Sequence, residues 1–182
     1  MELIIETPRL LLRPMNESDA SIIVKWRNDE EDSKFFLNRQ PNLNSHKQWF
    51  HSERQARVDY IIVHKHEQKP IGTLNFKNIS NTAEAGKLIG EKSFRGQGLA
   101  KESFIAWLYY GFKKLLLEEV YIQTHELNII NIAINDKLGF QKVDPCKFKL
   151  DARNSFVTMA INEIQFDRAN VLSLDAIKVE SS

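Results

Sequence analysis

The stretch Ser93-Phe94-Arg95-Gly96-Gln97-Gly98-Leu99-Ala100-Lys101-Glu102 constrains this chain more than any other. It follows an apolar run, Leu88-Ile89-Gly90, and leads into a long amphipathic pattern from Phe104 to Leu117. A strand, a glycine turn and a helix are therefore expected in succession. Gly96 and Gly98 let backbone N–H groups approach a ligand that any Cβ would hold off. A helix starting there aims its unpaired N–H groups and its dipole at the same point. That arrangement binds a phosphate or pyrophosphate. Arg95 would add a full positive charge at the mouth of the loop. Taken alone, the glycines fit an ordinary strand-to-helix turn equally well. Two familiar phosphate loops are set aside, because there is no G-x-x-x-x-G-K-[ST] and the spacing is not G-x-G-x-x-G.

A second segment, Asn128-Ile129-Ile130-Asn131-Ile132-Ala133-Ile134-Asn135-Asp136-Lys137-Leu138-Gly139-Phe140, reads as a short helix closed by Gly139, with Phe140 starting a strand. The Arg-x-x-Gly-x-Ala spacing and this asparagine-led helix ending in K-x-G-F lie about thirty residues apart. Together they resemble the GNAT superfamily of N-acetyltransferases, which bind acetyl-coenzyme A. The likeness runs from about Arg9 to Ile164. It implies an α/β GNAT fold, with a mixed central sheet of about seven strands and helices on both faces. A single domain over residues 1–166 is expected, followed by a loosely packed C-terminal extension over 167–182.

Composition agrees with that scale. A chain of 182 residues holds one domain with a respectable core. A net charge of +1, with both signs interspersed, argues against nucleic acid or an anionic membrane as the main partner. No apolar run is long enough to span a bilayer, and the N-terminus lacks the pattern of a signal peptide. The lone Cys146 fits a reducing cytoplasm, and nothing around it suggests an activated nucleophile. No metal is expected.

Leu10 to Pro14 reads as a first strand, and Ser18 as the cap of a helix carrying Ile22, Ile23 and Trp26. After an irregular polar stretch from Asn28 to Asn44, Ser45 with Gln48 reads as a capping box opening a second helix. Tyr60–Val63 and Ile71–Phe76 form a hairpin pattern, and a strand over about Glu84 to Glu91 delivers the chain to the glycine loop. Strands at Val120–Thr124, near Phe140 and at Phe156–Ile161 complete the pattern.

Acetyl transfer from a thioester to an amine requires a held cofactor, a neutral amine, a stabilised oxyanion and protonation of the leaving thiolate. The resemblance implies that the loop N–H groups of Gly96, Gln97, Gly98, Leu99, Ala100 and Lys101 hold the acetyl-CoA pyrophosphate, with Arg95 beside them. It also implies that the backbone of Leu88, Ile89 and Gly90 bonds the pantetheine arm, Leu88 being the candidate oxyanion donor. Asn128 and Asn135 would contact the cofactor from the second segment. Many family members carry Tyr near the cofactor sulfur where this chain has Asn135. An amide can hydrogen-bond there but cannot act as an acid. Another group, or water, must protonate a thiolate whose parent thiol has a pKa of about 8.5. Tyr121 is a weak substitute that reads better as a core aromatic. Glu84, beginning the fourth strand, is the candidate base; a surface charge is the competing reading. His125 reads as a structural group at the turn into Asn128.

Trp26-Arg27-Asn28 and His46-Lys47-Gln48-Trp49-Phe50 complete the candidate site. They resemble the W-R-N and H-x-x-W-F of family members that acetylate the 4-amino group of nucleotide-linked sugars, of the pseudaminic-acid-pathway type. Arg27 can pair with a diphosphate, and Trp49 can stack on a base or sugar, with His46 on the same side. Core packing is the competing reading for the aromatics. The expected partner is a small amine, best a UDP-linked amino sugar, and a homodimer is left open. Three alternatives stand: a ribosomal-protein or peptide N-terminal acetyltransferase; a polyamine or aminoglycoside acetyltransferase, which the balanced charge disfavours; and a non-catalytic acyl-CoA-binding module.

Overall fold

Strong alternation of apolar residues and a few well-placed caps build one nine-stranded sheet in the order β7-β8-β6-β5-β4-β3-β2-β1-β9. The computed structural model describes residues 3–36, 41–52, 56–151 and 154–181. The strands are β1 (Leu3–Glu6), β2 (Leu10–Pro14), β3 (Arg57–His64), β4 (Lys69–Lys77), β5 (Thr82–Ile89), β6 (Glu119–His125), β7 (Gln141–Lys142), β8 (Phe156–Asn162) and β9 (Lys178–Ser181). The helices are α1 (Ala20–Arg27), α2 (Glu30–Ser33), α3 (Leu43–Ser52), α4 (Leu99–Lys113), α5 (Ile129–Leu138) and α6 (Glu163–Leu174). None of them is long and apolar enough to cross a membrane.

Ladders on either side of the centre are antiparallel, but β5 and β6 run parallel. A parallel pair needs a crossover, and α4 supplies it. Here the sheet has its decisive irregularity. The β5–β6 pairing covers Thr82↔Glu119, Ala83↔Val120 and Glu84↔Tyr121, and beyond Glu84 the strands part. The edge of β5 that faces β6 is left open from there on.

Period-2 alternation sends Ile62, Leu74 and Phe76 to one face of the sheet, where they pack under α4, α5 and α6. Trp107 is fully buried on that face, stacked 4.7 Å from Phe76, and its Nε1 donates to Asn75 O at 3.1 Å. The opposite face carries Ile61 and Leu88, covered by Ile23 and Trp26 of α1 and by Trp49 and Phe50 of α3.

Two helix starts differ from expectation. Asn16, rather than Ser18, caps the first helical segment, and it forms a capping box with Asp19. The second helix begins at Leu43. Asn42 Oδ1 accepts from Ser45 N, so Ser45 is a residue of the first turn rather than the cap. The irregular stretch from 28 to 44 also contains the short α2; its positions 37–40 lie outside the described residues.

The sheet exceeds the expected count by its edges. β1 pairs with β2, and β9 pairs with β1 over Leu3↔Ser181 to Glu6↔Lys178. The segment after Phe166, expected as a loose extension, is instead the body of α6 followed by that edge strand. Asn162 and Gln165 cap α6 reciprocally. Phe166 is fully buried, and Asn170 Nδ2 donates to Leu138 O at 3.0 Å. Phe166→Ala should therefore cost about 3–5 kcal/mol in urea unfolding, as a large core truncation does. A cost under about 1 kcal/mol would mean that α6 contributes no core.

Candidate active site

The glycine loop is shaped by backbone rather than by side chains. Gly96 and Gly98 hold φ of +75° and +77°, the left-handed region that disfavours residues with a Cβ. A Cβ at Gly96 would meet nothing within 4 Å, and one at Gly98 would meet only Arg9 Nη2 at 3.7 Å. Gly98 is the N-cap of α4 and has no side chain to satisfy the first N–H groups, so those of Leu99 to Lys101 remain for a ligand. This open cradle at the start of a 15-residue helix suits a phosphate.

Arg95 does not supply the loop's free charge. Its Nε donates to Ile89 O at 3.0 Å, and its Nη2 lies 2.5 Å from Asp32 Oδ2, which ties α2 to the end of β5. Arg9 also reaches the loop: its Nη1 donates to Gln97 O at 3.0 Å while its guanidinium pairs with Glu102 at 2.6 Å. Gln97 turns its own amide back to Ser93 O.

The end of β5 is packed closely. A Cβ on Gly90 would sit 2.1 Å from the ring of Trp26, which therefore rests on bare backbone. Trp26 is buried, with Nε1 donating to Glu91. Gly90 N donates to Ile71 O at 2.9 Å, so that N–H is committed to β4. Leu88 turns its carbonyl toward β4 as well: a Cβ on Gly72 would come within 2.1 Å of it. Asn28 Nδ2 donates to Pro41 O, joining two loops.

Where β5 and β6 part, a cleft of about 650 Å³ opens. It gathers Glu84, Lys87 and Leu88 from β5, Arg27 from α1, His46 and Trp49 from α3, and Asn128 from α5. Residues distant in sequence and predicted separately thus line one space; Trp26 and Asn28 do not.

Glu84 is buried and paired with Lys77 Nζ at 2.8 Å, unlike a surface charge. Tyr121, opposite it on β6, is buried and stacks on Phe148 at 4.2 Å. Burial first, and Glu84 to a lesser degree, raise its phenol pKa, so it is a poorer acid than free tyrosine. His125 Nδ1 accepts from Leu127 N at 3.2 Å and holds the turn into α5. Asn128 caps α5, its Oδ1 accepting from Asn131 N.

On the α3 side, Arg57 is held by Asp59 and lies 4.6 Å over the ring of Trp49. His46 is buried 5.0 Å from the same ring, and burial, then Arg27, lower its pKa. Arg27 differs from these. Among the described residues it makes no ion pair and only lies 5.4 Å over Phe36. Burial, then Arg57, push its pKa down, yet a guanidinium stays charged.

Asn135 is fully buried. Its Oδ1 accepts from Lys87 Nζ at 2.5 Å, and its Nδ2 has no partner among the described residues. Burial lowers the Lys87 pKa to about 7. Lys87 escaped sequence reasoning because a lysine in an alternating strand reads as solvent-facing.

A cradle suited to phosphate at a helix start thus lies beside a parted pair of parallel strands. Residues 9–141 match the Acetyltransferase (GNAT) domain family, and the chain belongs to it. It is 30% identical over 147 residues to an uncharacterized N-acetyltransferase, p20, of Bacillus licheniformis, covering 75% of this chain and 81% of that one. An uncharacterized protein of Methanocaldococcus jannaschii is 27% identical over 145 residues, but the chain spans only 29% of its length. Among solved structures, spermidine N-acetyltransferase from Vibrio cholerae in complex with CoA and spermine has a TM-score of 0.75 at 18% identity, covering 87% of this chain and 98% of that one. FdhC, a nucleotide-linked sugar GNAT, has a TM-score of 0.75 at 17% identity, covering 92% of this chain and 94% of that one. At these identities both show the fold alone.

The chain's own residues fit acetyl-CoA on two counts: the cradle over Gly96 and Gly98 is free of side chains, and Asn135 Nδ2 is a buried donor awaiting an acceptor. Gly98→Val should weaken CoA binding about tenfold or more by calorimetry, since a β-branched residue at this φ is strained and fills the cradle. Unchanged CoA affinity in that variant would show that the loop is not the phosphate site.

Proposed function

We propose that this chain acetylates the amine of a small acceptor that also carries negative charge, a nucleotide-linked amino sugar being the best fit. The observation that carries this reading is Arg27, a half-buried cation facing the cleft with no carboxylate among the described residues. Burying a guanidinium without a partner is costly, so the position favours a ligand that brings an anion. A diphosphate satisfies it. Trp49 and Phe36 on the same wall suit a base or sugar face. A polyamine would meet Arg27, Arg57 and Lys87 in the cleft, against Asp59 and Glu84 that already have partners. That balance is poor for a polycation.

When bound, acetyl-CoA supplies the activated acetyl group. The N–H groups of the loop and of the α4 N-terminus hold its pyrophosphate, with Arg9 alongside. The open edge of β5 between Gly86 and Ile89 offers the N–H groups of Lys87 and Ile89 to the oxyanion; Leu88, expected as that donor, turns its N–H toward β4 together with its carbonyl. Glu84, at the last paired position of β5 and paired with Lys77, receives the proton from the attacking amine.

Glu84→Gln should lower kcat by roughly 10²- to 10⁴-fold with CoA affinity unchanged. An unchanged rate and pH profile would leave Glu84 a merely structural ion. Arg27→Gln should raise the KM of a UDP-amino sugar about 10- to 100-fold while kcat holds, the size of a lost hydrogen bond to charge. Efficient turnover of spermidine, indifferent to Arg27→Gln, would replace this acceptor class with polyamines.

A further inference from the structure

Lys87 lies on β5, past the last residue paired with β6, where the two strands have separated. Its side chain leaves the sheet on the α4 face. There Nζ stands 4.1 Å from the centre of the Phe104 ring and donates to Asn135 Oδ1 of α5 at 2.5 Å. Lys87 also lines the cleft that contains Glu84, so a chain threaded from the α4 N-terminus through the parted strands toward Glu84 passes its ammonium.

Among the described residues no carboxylate holds Lys87. From α4 it meets Phe104, and from α5 it meets Asn135. Of the cleft's other titratable groups, Glu84 is paired with Lys77 at 2.8 Å and Asp59 with Arg57 at 2.7 Å. His125 is bound to Leu127 N, while Arg27 and His46 belong to the α1 and α3 side. Tyr121 is stacked on Phe148. A lysine that only propped up the fold would be better placed with its ammonium in water or against an acid.

We propose that Lys87 is the group that protonates the leaving sulfur, held in position by Asn135. The proposal rests on the acetyl-CoA reading above. As the amine nitrogen bonds to the thioester carbonyl carbon, the carbon–sulfur bond breaks and its electron pair goes to sulfur. Lys87 Nζ passes one proton to that sulfur and recovers one from solvent, while the proton lost by the amine goes to Glu84. Asn135 itself has no acidic proton to give. Burial alone brings the Lys87 ammonium to about 7. That makes it a stronger acid than a thiol of pKa about 8.5, so transfer to the thiolate runs downhill. A sizeable share of Lys87 is nevertheless protonated at neutral pH.

Lys87→Met and Lys87→Arg in the full chain test this, read by CoA calorimetry and by thiol release from acetyl-CoA against pH, with an accepted amine or water as acceptor. The ¹³Cε resonance of Lys87 in the wild type, titrated with and without CoA, reads the proton directly. Wild-type kcat should fall as pH rises through about 7, because the ammonium is the active form. Both variants should bind CoA nearly as well as wild type, release thiol about 10²- to 10⁴-fold more slowly, and lose the alkaline fall. Lys87→Arg decides the matter, because it keeps the charge but cannot give up a proton; it and the resonance carry the test if Lys87→Met does not fold. An arginine variant with the wild-type rate and alkaline fall would overturn the proposal. So would variants that lose only CoA affinity, or a Lys87 resonance titrating in the ordinary lysine range. Failure of the wild type itself to bind CoA would overturn the acetyl-CoA reading instead.

Discussion

Everything in this molecule depends on the point where β5 leaves β6. The two strands share three residue pairs and then part, although both continue for several residues more. An unpaired strand edge inside a sheet leaves backbone donors and acceptors unsatisfied, which is costly unless something covers them. A ligand that runs along the open edge satisfies them. The glycine loop lies at the far end of that edge, Glu84 at its near end and Lys87 between, so holding the cofactor and positioning the chemistry follow from one irregularity.

Charge in the cleft is arranged to the same end. Most acidic and basic groups there are neutralised locally: Glu84 by Lys77 and Asp59 by Arg57. Arg27 and Lys87 are left over, one on each side of the sheet. Such groups weaken a fold, and they persist where binding or catalysis uses them. On the proposed reading, Arg27 faces the acceptor and Lys87 the thioester.

Features governed by local rules were legible in the sequence. The glycine pair before α4, the Gly139 cap of α5 and the alternation in β3 and β4 each state their structure within a few residues. Caps were misplaced by two or three positions because Asn16 and Asn42 cap as well as the nearby serines. α6 was missed because its apolar stripe is thin: Phe166 is buried, whereas Ile164 is exposed. What could not be read were pairings across the chain. Arg95 meets Asp32 and Arg9 meets Glu102, each over a long separation, and these contacts take Arg95 out of the role that the loop motif suggested for it and bring Arg9 to the loop. Lys87 became visible only once α5 placed Asn135 against it.

Amide hydrogen exchange, with and without CoA, tests the open edge most directly. The account predicts slow exchange at Thr82 to Glu84 in both states. At least one N–H between Gly86 and Ile89 should exchange fast in the free protein and become protected when CoA binds. Full protection of that segment in the free protein, or no change on CoA binding, would contradict the claim that the parted strand is the seat of the cofactor.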